Sequence, residues 1–290
     1  MISGEKRIVS SEEGKFVKKV GIMLADVVAI NPDSQWYSEN GMELKEGSKA
    51  TEYLSKSEDG NRTVRLDFWV REQKSNQLYK VGYYLEDTIA LTQAGDKTYF
   101  INNQGNSSCV ASESDLKDWF KKYDYRKAKK GEKELYNFLR AWLSEIDFRK
   151  DGAVLELDLE KLFKGNYKAI SEQIGGEYAM PVVLPVTIKT VQKDGDVKEY
   201  QEVYNKAVTP HYNMKYFENK TYSEEYLDKL RDREAKKEKI KGHEEFIKNL
   251  AGNYGTKNFF SLKPLHDYDP SENIVGKHEN VGVSKDGSDY

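Results

Sequence analysis

The chain of 290 residues is 38% hydrophobic and 33% charged, which allows one elaborated domain or two small ones with a real core. Its 46 basic and 49 acidic residues give a net charge of −3, so it is not a generally basic nucleic-acid binder, although a local basic patch can still dominate the potential. The single cysteine, Cys109, excludes an internal disulfide and favours a reducing compartment. No apolar leader opens the sequence and the most apolar run, VGIMLADVVAI, is too short to cross a membrane, so we expect a cytoplasmic protein without a membrane partner.

The N-terminal part of the chain predicts an arm, a strand and a loop. Residues 1–18 are polar and of mixed charge, so we expect a flexible arm. The apolar run Lys19–Ile30 predicts a first strand, which ends at the turn Asn31-Pro32-Asp33. Residues 34–61 contain few apolar anchors and predict a long loop or a weak hairpin.

Residues 62–103 contain two strongly β-prone runs and a shorter third, rich in Val, Phe, Trp and Tyr. In the first run, RTVRLDFWVRE, one face of the predicted strand is apolar and the other carries Arg65, Asp67, Trp69 and Arg71. An indole is not expected on the solvent-exposed face of a strand, because a large apolar ring is more stable when it is removed from water. Either another layer of the protein covers this face, or something flat and anionic stacks on it.

The second and third runs add further rings and cations. In LYKVGYYLED, Lys80 and Tyr84 share one face with a glycine, and a glycine in a strand often marks a bend or the close approach of a ligand. Rings that stack on bases, interleaved with cations that follow phosphates, are what binding of single-stranded nucleic acid requires. The alternative is an ordinary sheet whose aromatic side chains fill a core and whose arginines are solvated. The predicted platform consists of Arg65, Trp69, Arg71, Lys80, Tyr84 and Tyr99.

Two predicted helices and a basic segment follow the sheet. Apolar side chains at helical spacing predict one helix after Ser112 or Ser114 and a clearer one over 133–148. Between them, residues 121–133 hold seven Lys or Arg against two acids. The mixture of cations and tyrosines suits a clamp on a single strand, and the alternative is a solvated surface. The predicted clamp consists of Lys121, Lys122, Tyr123, Tyr125, Arg126, Lys127, Lys129 and Lys130.

Residues 154–159, VLELDL, alternate strictly between apolar and acidic side chains and predict a strand. The outward face of that strand would carry Glu156, Asp158 and Glu160. Three carboxylates on one strand face can hold Mg²⁺ in a nuclease. More often such a row is a hydrated edge that discourages wrong strand pairing.

A hairpin is predicted in the second half of the chain. The β-prone runs 182–191 and 198–204 flank the turn Asp194-Gly195-Asp196. Proline cannot donate a backbone hydrogen bond, so Pro181 and Pro185 favour an edge strand or a bulge for the first run.

The rest of the second half predicts helices and a tail. A short helix is expected over 167–174, and residues 223–250 predict helix with Ser223 as its N-cap. From His266 onward the polar composition predicts a mildly acidic, disordered tail.

The motifs of common enzyme classes are missing from the sequence. It contains no GxxxxGK[ST] loop, and its four histidines are scattered and not paired with cysteines. No serine or cysteine lies in a recognisable nucleophile elbow. We therefore expect a protein that is not an enzyme and that needs neither a cofactor nor a metal.

Several segments together resemble a group of single-stranded DNA-binding proteins of tailed bacteriophages, including the crAss-like phages. The segments are VRLDFWVRE, LYKVGYYLED, TYFINNQG, DWFKKYDYRKAKKGEKELYNFLRAWL and TVQKDGDVKEYQEVYNK, and the similarity covers roughly residues 60–265. The resemblance implies an OB-fold-like β-barrel that coats single-stranded DNA during replication or recombination, in the host cytoplasm. It also implies that an acidic C-terminal tail recruits replication proteins, although the tail here is weakly acidic and lacks an acidic–hydrophobic tip.

The predicted fold class is α+β, an antiparallel OB-fold-like β-barrel elaborated with inserted and C-terminal helices. We expect a flexible arm at 1–18, a nucleic-acid-binding domain at 19–265 with a helical insertion near 112–150 and a hairpin near 182–204, and a tail at 266–290. The predicted function is single-stranded DNA binding. The alternatives are a structural or packaging protein of a phage particle and an Mg²⁺-dependent nuclease. The oligomeric state stays open.

Overall fold

The computed structural model describes residues 17–94, 97–101, 108–110, 128–143, 155, 157–193, 196–219, 222–251 and 258–271. The strands of these residues are β1 (Lys19–Ile30), β2 (Leu54–Lys56), β3 (Arg62–Glu72), β4 (Leu78–Ile89), β5 (Leu91–Ala94), β6 (Lys97–Ile101), β7 (Ser108–Val110), β8 (Lys129–Lys130), β9 (Val182–Lys193), β10 (Asp196–Val203), β11 (Thr209–Pro210), β12 (Asn258–Phe260) and β13 (His266–Asp267). The helices are α1 (Ser34–Glu39), α2 (Glu132–Trp142), α3 (Leu159–Leu162), α4 (Lys168–Ser171), α5 (Met214–Glu218), α6 (Glu224–Ala235) and α7 (Gly242–Ala251), with a 3₁₀ turn at His211–Asn213.

Within the described ranges, ten strands form one antiparallel sheet with the central order β10–β9–β1–β3–β4–β8. The short strands β2, β11, β12 and β13 pair with members of this path. A separate sheet has the order β5–β6–β7, so the third aromatic run is not part of the main sheet. The main sheet curls into half of a barrel and carries several helices, which confirms an α+β fold built on a barrel-like antiparallel sheet.

Helix α2 lies against the concave face of the main sheet. The apolar faces of β1, β3, β4 and β9 bury their side chains against it in one core. Phe138 of α2 packs 4.6 Å from Phe68 of β3 and 5.2 Å from Tyr83 of β4, measured between ring centroids. Strict alternation in the strands and helical spacing in α2 therefore meet in the same core, as both patterns predicted.

Helix α2 is shorter than the predicted helix over 133–148. It ends at Trp142 because Leu143 is extended and pairs with Ala179. The amide of Met180 donates to the carbonyl oxygen of Trp142 at 2.8 Å. This carbonyl, which would accept a helical hydrogen bond if the helix continued, therefore already has a donor. The first predicted helix of the insertion lies outside the described residues.

Helices α5, α6 and α7 cover the convex side of β1 and β9. Ile22 of β1 and Val183 of β9 share a buried cluster with Phe217, Leu230 and Phe246 of these helices.

The Ser223 side chain accepts a hydrogen bond from the amide of Tyr226, which confirms its predicted capping role. The helical region is divided, because a turn separates α6 from α7.

Strand β9 is an interior strand, so the prediction of an edge strand from Pro185 was wrong. It pairs with β1 and β12 along one side and with β10 and β11 along the other. The carbonyl of Pro185 accepts from the amide of Tyr204 at 2.9 Å, where β10 ends. Pro185 therefore lies between the part of β9 that pairs with β10 and the part that pairs with β11. Because proline has no N–H to donate, this position costs neither pairing a hydrogen bond.

Two further predictions need correction. Residues 157–158 are not extended in a ladder, and Asp158 instead caps α3 by accepting from the amides of Glu160 and Lys161. The predicted tail begins too early, because His266 and Asp267 pair with β1 and Tyr268 is buried. Residues 272–290 of the tail lie outside the described part of the chain, as do residues 1–16 of the arm.

None of the helices in the described ranges is both long enough and apolar enough to cross a lipid bilayer.

Candidate functional site

The face of β3 and β4 that holds the predicted platform is set by their pairing. Arg65 lies opposite Tyr84, Asp67 opposite Gly82, and Trp69 opposite Lys80. These side chains point to the convex side, because the alternate residues of both strands fill the core under α2. The predicted division of the two faces is therefore confirmed.

Trp69 is buried, so its predicted role as an open stacking surface was wrong. The indole is 1% exposed and lies among Trp36 and Tyr37 of α1, with ring centroids 5.4 and 5.6 Å away. Its Nε1–H donates to the Tyr37 hydroxyl at 3.3 Å. Helix α1 and Met42 form the layer that covers this end of the face, in a segment for which the sequence predicted a long loop or a weak hairpin.

Asp67 carries a buried carboxylate at the centre of the face, with only 1% of its side chain exposed. Arg65 Nε lies 3.0 Å and Lys80 Nζ 3.6 Å from Asp67 Oδ2. Gly82 leaves room for this group, because a Cβ there would lie 3.2 Å from Asp67 Oδ1. A charge that is removed from water needs partners of this kind. Two of the three predicted platform cations, Arg65 and Lys80, are therefore held by an acid of the same sheet.

Asn31 connects the end of β1 to the middle of β3. Its backbone amide donates to the carbonyl of Asp67 at 2.9 Å, and its Oδ1 accepts from the amide of Asp67 at 2.7 Å. Its Nδ2 donates to the carbonyl of Arg65 at 2.9 Å. Asn31 has a φ of +42°, a conformation that asparagine tolerates better than most residues. The turn predicted at this point therefore also positions the backbone of the site.

Arg65 is held by the segment that crosses the face. Its Nη2 donates to the carbonyl of Ala50 at 2.6 Å, and its guanidinium lies 5.2 Å above the ring of Tyr53. The Tyr53 hydroxyl donates to the carbonyl of Pro32 at 2.7 Å. Burial raises the pKa of the Tyr53 hydroxyl and that of the Tyr37 hydroxyl above the ordinary value, so both hydroxyls stay neutral. Arg65 is therefore a structural cation more than an open one.

Of the two platform rings whose side chains the structure describes, Tyr84 is the open one. Its side chain is 60% exposed, in contrast to Trp69 on the neighbouring strand. Gly131, at the start of α2, lies against the backbone of Tyr84. A Cβ on Gly131 would meet the carbonyl oxygen of Tyr84 at 1.9 Å, so only glycine fits here. The backbone of α2 and β8 thus approaches β4 more closely at Tyr84 than any side chain would allow.

The two described cations of the predicted clamp lie on β8, beside β4. Lys130 pairs with Glu86 at 2.8 Å and keeps 63% of its side chain exposed. Lys129 is less open and contacts Asp87 at 2.6 Å. Arg62 also bonds Asp87 and reaches Glu160 at 3.0 Å. Hydrogen bonds from Lys129 and Arg62 lower the pKa of the Asp87 carboxyl below its usual range.

Of the remaining predicted site residues, two lie on described strands and six lie outside the described residues. Arg71 lies at the end of β3, where its Nη1 is 3.4 Å from Asn76 Oδ1. Tyr99 lies on β6, opposite Thr92 of β5 and Val110 of β7, and therefore on a different sheet from Tyr84. Outside the described residues lie Lys121, Lys122, Tyr123, Tyr125, Arg126 and Lys127.

The predicted row of acids does not exist as a strand face. Asp158 caps α3, and a hydrogen bond from the Lys161 amide lowers the pKa of its carboxyl. Glu160 lies on α3 and bonds Arg62, while Glu156 lies outside the described residues. Across the described ranges no group of three His, Cys, Asp or Glu side chains is arranged to hold a metal ion. Asp158 and Glu160 therefore lie at the N-cap and in the first turn of α3 and not side by side on a strand.

Sequence patterns did not identify the groups that cover and support this face. Tyr37, Met42 and Tyr53 are widely spaced in a polar segment, so no periodicity marks them. One signal was present: Asp33 accepts from the amide of Trp36 and caps α1. An acid of this kind just before an apolar pair is a helix-start signal.

Comparison with protein-family models, with curated proteins and with solved structures found no match to this chain. What the site can do therefore follows from its own side chains. Its open part presents the ring of Tyr84 on β4, with the exposed amine of Lys80 on the same strand face and that of Lys130 on the neighbouring β8. A ring can stack on a flat apolar group, and amines attract anions.

Proposed function

We propose that the protein binds single-stranded DNA without catalysing a reaction, through the part of the convex face of β3 and β4 that α1 leaves uncovered. The observation that carries the proposal is the ring of Tyr84, which is 60% exposed in the middle of a long, twelve-residue strand. Exposed rings on rigid sheets are surfaces on which unpaired bases stack, and stacking tolerates any base sequence.

Charge around Tyr84 supports the same role. Lys80 and Lys130 keep 43% and 63% of their side chains exposed, although each contacts an acid. A phosphate can share the amine of Lys130, because its pair with Glu86 lies at the surface and exposed ion pairs are weak. The basic segment also joins the fold here, since Ala128, the residue after Lys127, accepts a hydrogen bond from the amide of Ala90 at the end of β4.

The finer assignments belong to the same proposal. An OB-fold-like barrel is supported by the curled antiparallel sheet, and a phage replication or recombination role by the resemblance of the strand and helix segments. Stacking on bases and attraction to the DNA phosphates do not depend on base sequence, so they agree with coating of DNA without sequence preference. Recruitment of replication proteins would use residues of the tail beyond 271.

The first prediction concerns Tyr84. Replacing it by Ala should weaken binding of a labelled oligo-dT by about 5- to 150-fold, since stacking contributes about 1–3 kcal/mol per base. Fluorescence anisotropy at low salt measures the affinity. Tyr212→Ala is the matched control, because Tyr212 is 59% exposed and lies on the 3₁₀ turn, away from β4 in the chain.

The salt dependence and the control decide the outcome. Wild-type affinity should fall linearly with the logarithm of salt concentration, since cations displace counterions from DNA. Absence of binding at low salt would refute the proposal, and equal losses in both tyrosine variants would refute the site. Incubation of the complex with Mg²⁺ tests the alternative class, because cut DNA would indicate a nuclease.

A further inference from the structure

Strand β10 forms one border of the main sheet, since along the described chain it pairs only with β9. The amide of Tyr204 donates to the carbonyl of Pro185, which fixes the direction of the backbone groups in the ladder. Because these groups alternate, the amides and carbonyls of even-numbered residues point to β9. Those of the four odd-numbered residues, Val197, Glu199, Gln201 and Val203, point outward.

The side chains of two outward residues of β10 are held to one side of this border, whose C-terminal end lies beside β4, where Asn205 Nδ2 donates to the carbonyl of Gly82. Glu199 is drawn toward the N-terminal end of β1, where it contacts Lys18 and accepts from the Tyr268 hydroxyl at 2.9 Å. Gln201 is held there too, by a hydrogen bond from the amide of Lys19. No proline interrupts the eight residues of β10. A row of outward amides and carbonyls of this length is a template for another strand.

We propose that the occupant of this border is β10 of a second copy of the chain, paired antiparallel about a two-fold axis at Tyr200. Only odd-numbered residues have outward groups, so the axis must pass through a residue and not between two residues. An axis at Tyr200 places Glu199 opposite Gln201 of the other copy, and these two exchange both hydrogen bonds. Tyr200, which is 39% exposed, then lies opposite itself.

Charge selects this register among the alternatives. With the axis at Tyr200, Lys198 of each copy lies opposite Glu202 of the other, so two ion pairs form. An axis at Lys198, Glu199 or Glu202 places a like-charged residue opposite itself, which destabilises strand pairing. An axis at Gln201 avoids this but places Lys198 opposite Tyr204, so it forms no ion pair. An axis at Val197 places Lys198 opposite Asp196, but it pairs only one of the four outward residues of β10.

The ion pair is compatible with the contacts inside each copy. Lys198 is exposed and makes no ion pair within the described part of the chain. Glu202 contacts Lys189 of β9 at 3.5 Å, and a carboxylate can accept from a second amine. Two short strands bury less area than a standard stable interface, so the dimer should form reversibly as concentration rises. The proposal does not depend on DNA binding.

Charge reversal tests the dimer by sedimentation of the full-length protein over a concentration series. Lys198→Glu places glutamates opposite each other and Glu202→Lys places lysines opposite each other, so each variant alone should dimerise roughly tenfold or more weakly. An equimolar mixture should dimerise again, because every pair in the mixed dimer joins opposite charges. A folding defect cannot produce this recovery. Lys56→Glu, at an exposed position of β2, is the matched control and should behave as wild type.

A cross-link tests the register. In a Cys109→Ser background, Tyr200→Cys should form a disulfide-linked dimer on mild oxidation, because residues opposite each other in a non-hydrogen-bonded pair are close enough. Lys198→Cys should not, since its two copies would lie four residues apart along the strands, about 14 Å. A wild type that stays monomeric at high concentration overturns the proposal. A dimer that resists both charge reversals, or that links more readily through position 198, also overturns it.

Discussion

Trp69 and Tyr84 lie on the same convex face, yet one is 1% and the other 60% exposed. The difference arises from cover, because α1 and Met42 pack over the end of β3 and leave the middle of β4 open. Trp69 therefore contributes to stability by leaving water and by donating to Tyr37. Tyr84 is the ring that a base can reach, so the two residues should respond differently to truncation.

Replacing Trp69 by Ala should destabilise the protein by about 3–5 kcal/mol, because the loss of a fully buried indole leaves a cavity under α1. Urea unfolding followed by circular dichroism measures the change. Tyr84→Ala serves as the comparison and should change the free energy of unfolding by about 0.5 kcal/mol or less. A Trp69 variant as stable as wild type would mean that the cover over β3 does not pack as described.

Alternation along β3 and β4 was enough to predict which residues share a face, since successive side chains of a strand point to opposite faces. It was not enough to predict which face is covered. That depends on Trp36, Tyr37 and Met42, which come from a segment without hydrophobic periodicity. The sequence raised both possibilities for the tryptophan, an added layer or a stacked ligand, and the layer is what the structure contains.

At the scale of elements, Gly131 connects α2 and β8 to β4. It has a φ of +82°, and a Cβ there would meet the carbonyl oxygen of Tyr84 at 1.9 Å. Gly131→Ala should therefore destabilise the protein by about 2 kcal/mol or more, through backbone strain and this contact. Thermal or urea unfolding measures the effect.

Gly47→Ala separates the two causes. Gly47 has a φ of +71°, but an added Cβ would meet nothing within 4 Å. This control should cost only the strain of the left-handed conformation, about 1–2 kcal/mol. Equal losses of stability in the two variants would indicate that the contact with the carbonyl of Tyr84 adds nothing to the cost of a Cβ at Gly131.

Prediction of elements succeeded where a local pattern and the global packing agree. The hairpin of β9 and β10 was found because its turn residues and both flanking runs point to the same structure. The prediction of a strand over 154–159 was wrong, because the same alternation fits a segment in which Leu155 and Leu157 pack against the core and Asp158 caps α3. Pro185 misled because a proline disturbs a ladder only where its N–H would have bonded.

At the scale of the molecule, the charges are nearly balanced and largely paired across elements. Asp87 joins β3, β4 and β8 by accepting from Arg62 and Lys129, and Arg62 continues to Glu160 on α3. A net charge of −3 therefore hides a surface on which many cations already have acids beside them. Any attraction for an anionic partner must come from amines that stay exposed in these pairs.

This network predicts a loss of stability in acid. Hydrogen bonds from Lys129 and Arg62 lower the pKa of Asp87 in the folded state, so its contribution is complete above about pH 4, the value of the unfolded chain. The contribution is lost as the pH falls through the lower pKa of the folded state. The free energy of unfolding should decrease below about pH 4, and Asp87→Asn should make that decrease smaller. An identical pH dependence in this variant would exclude the network as a cause.

The partners of β1 come from distant parts of the chain. It pairs with β3, with β9 and, through Lys19 and Asp267, with a strand 248 residues further on. Contacts of such long sequence separation form late, because the intervening chain must first be ordered. During synthesis β3 can pair with β1 early, but the other side of β1 stays unpaired until residues 182–186 of β9 have left the ribosome. Until then this apolar edge is a surface that chaperones can recognise.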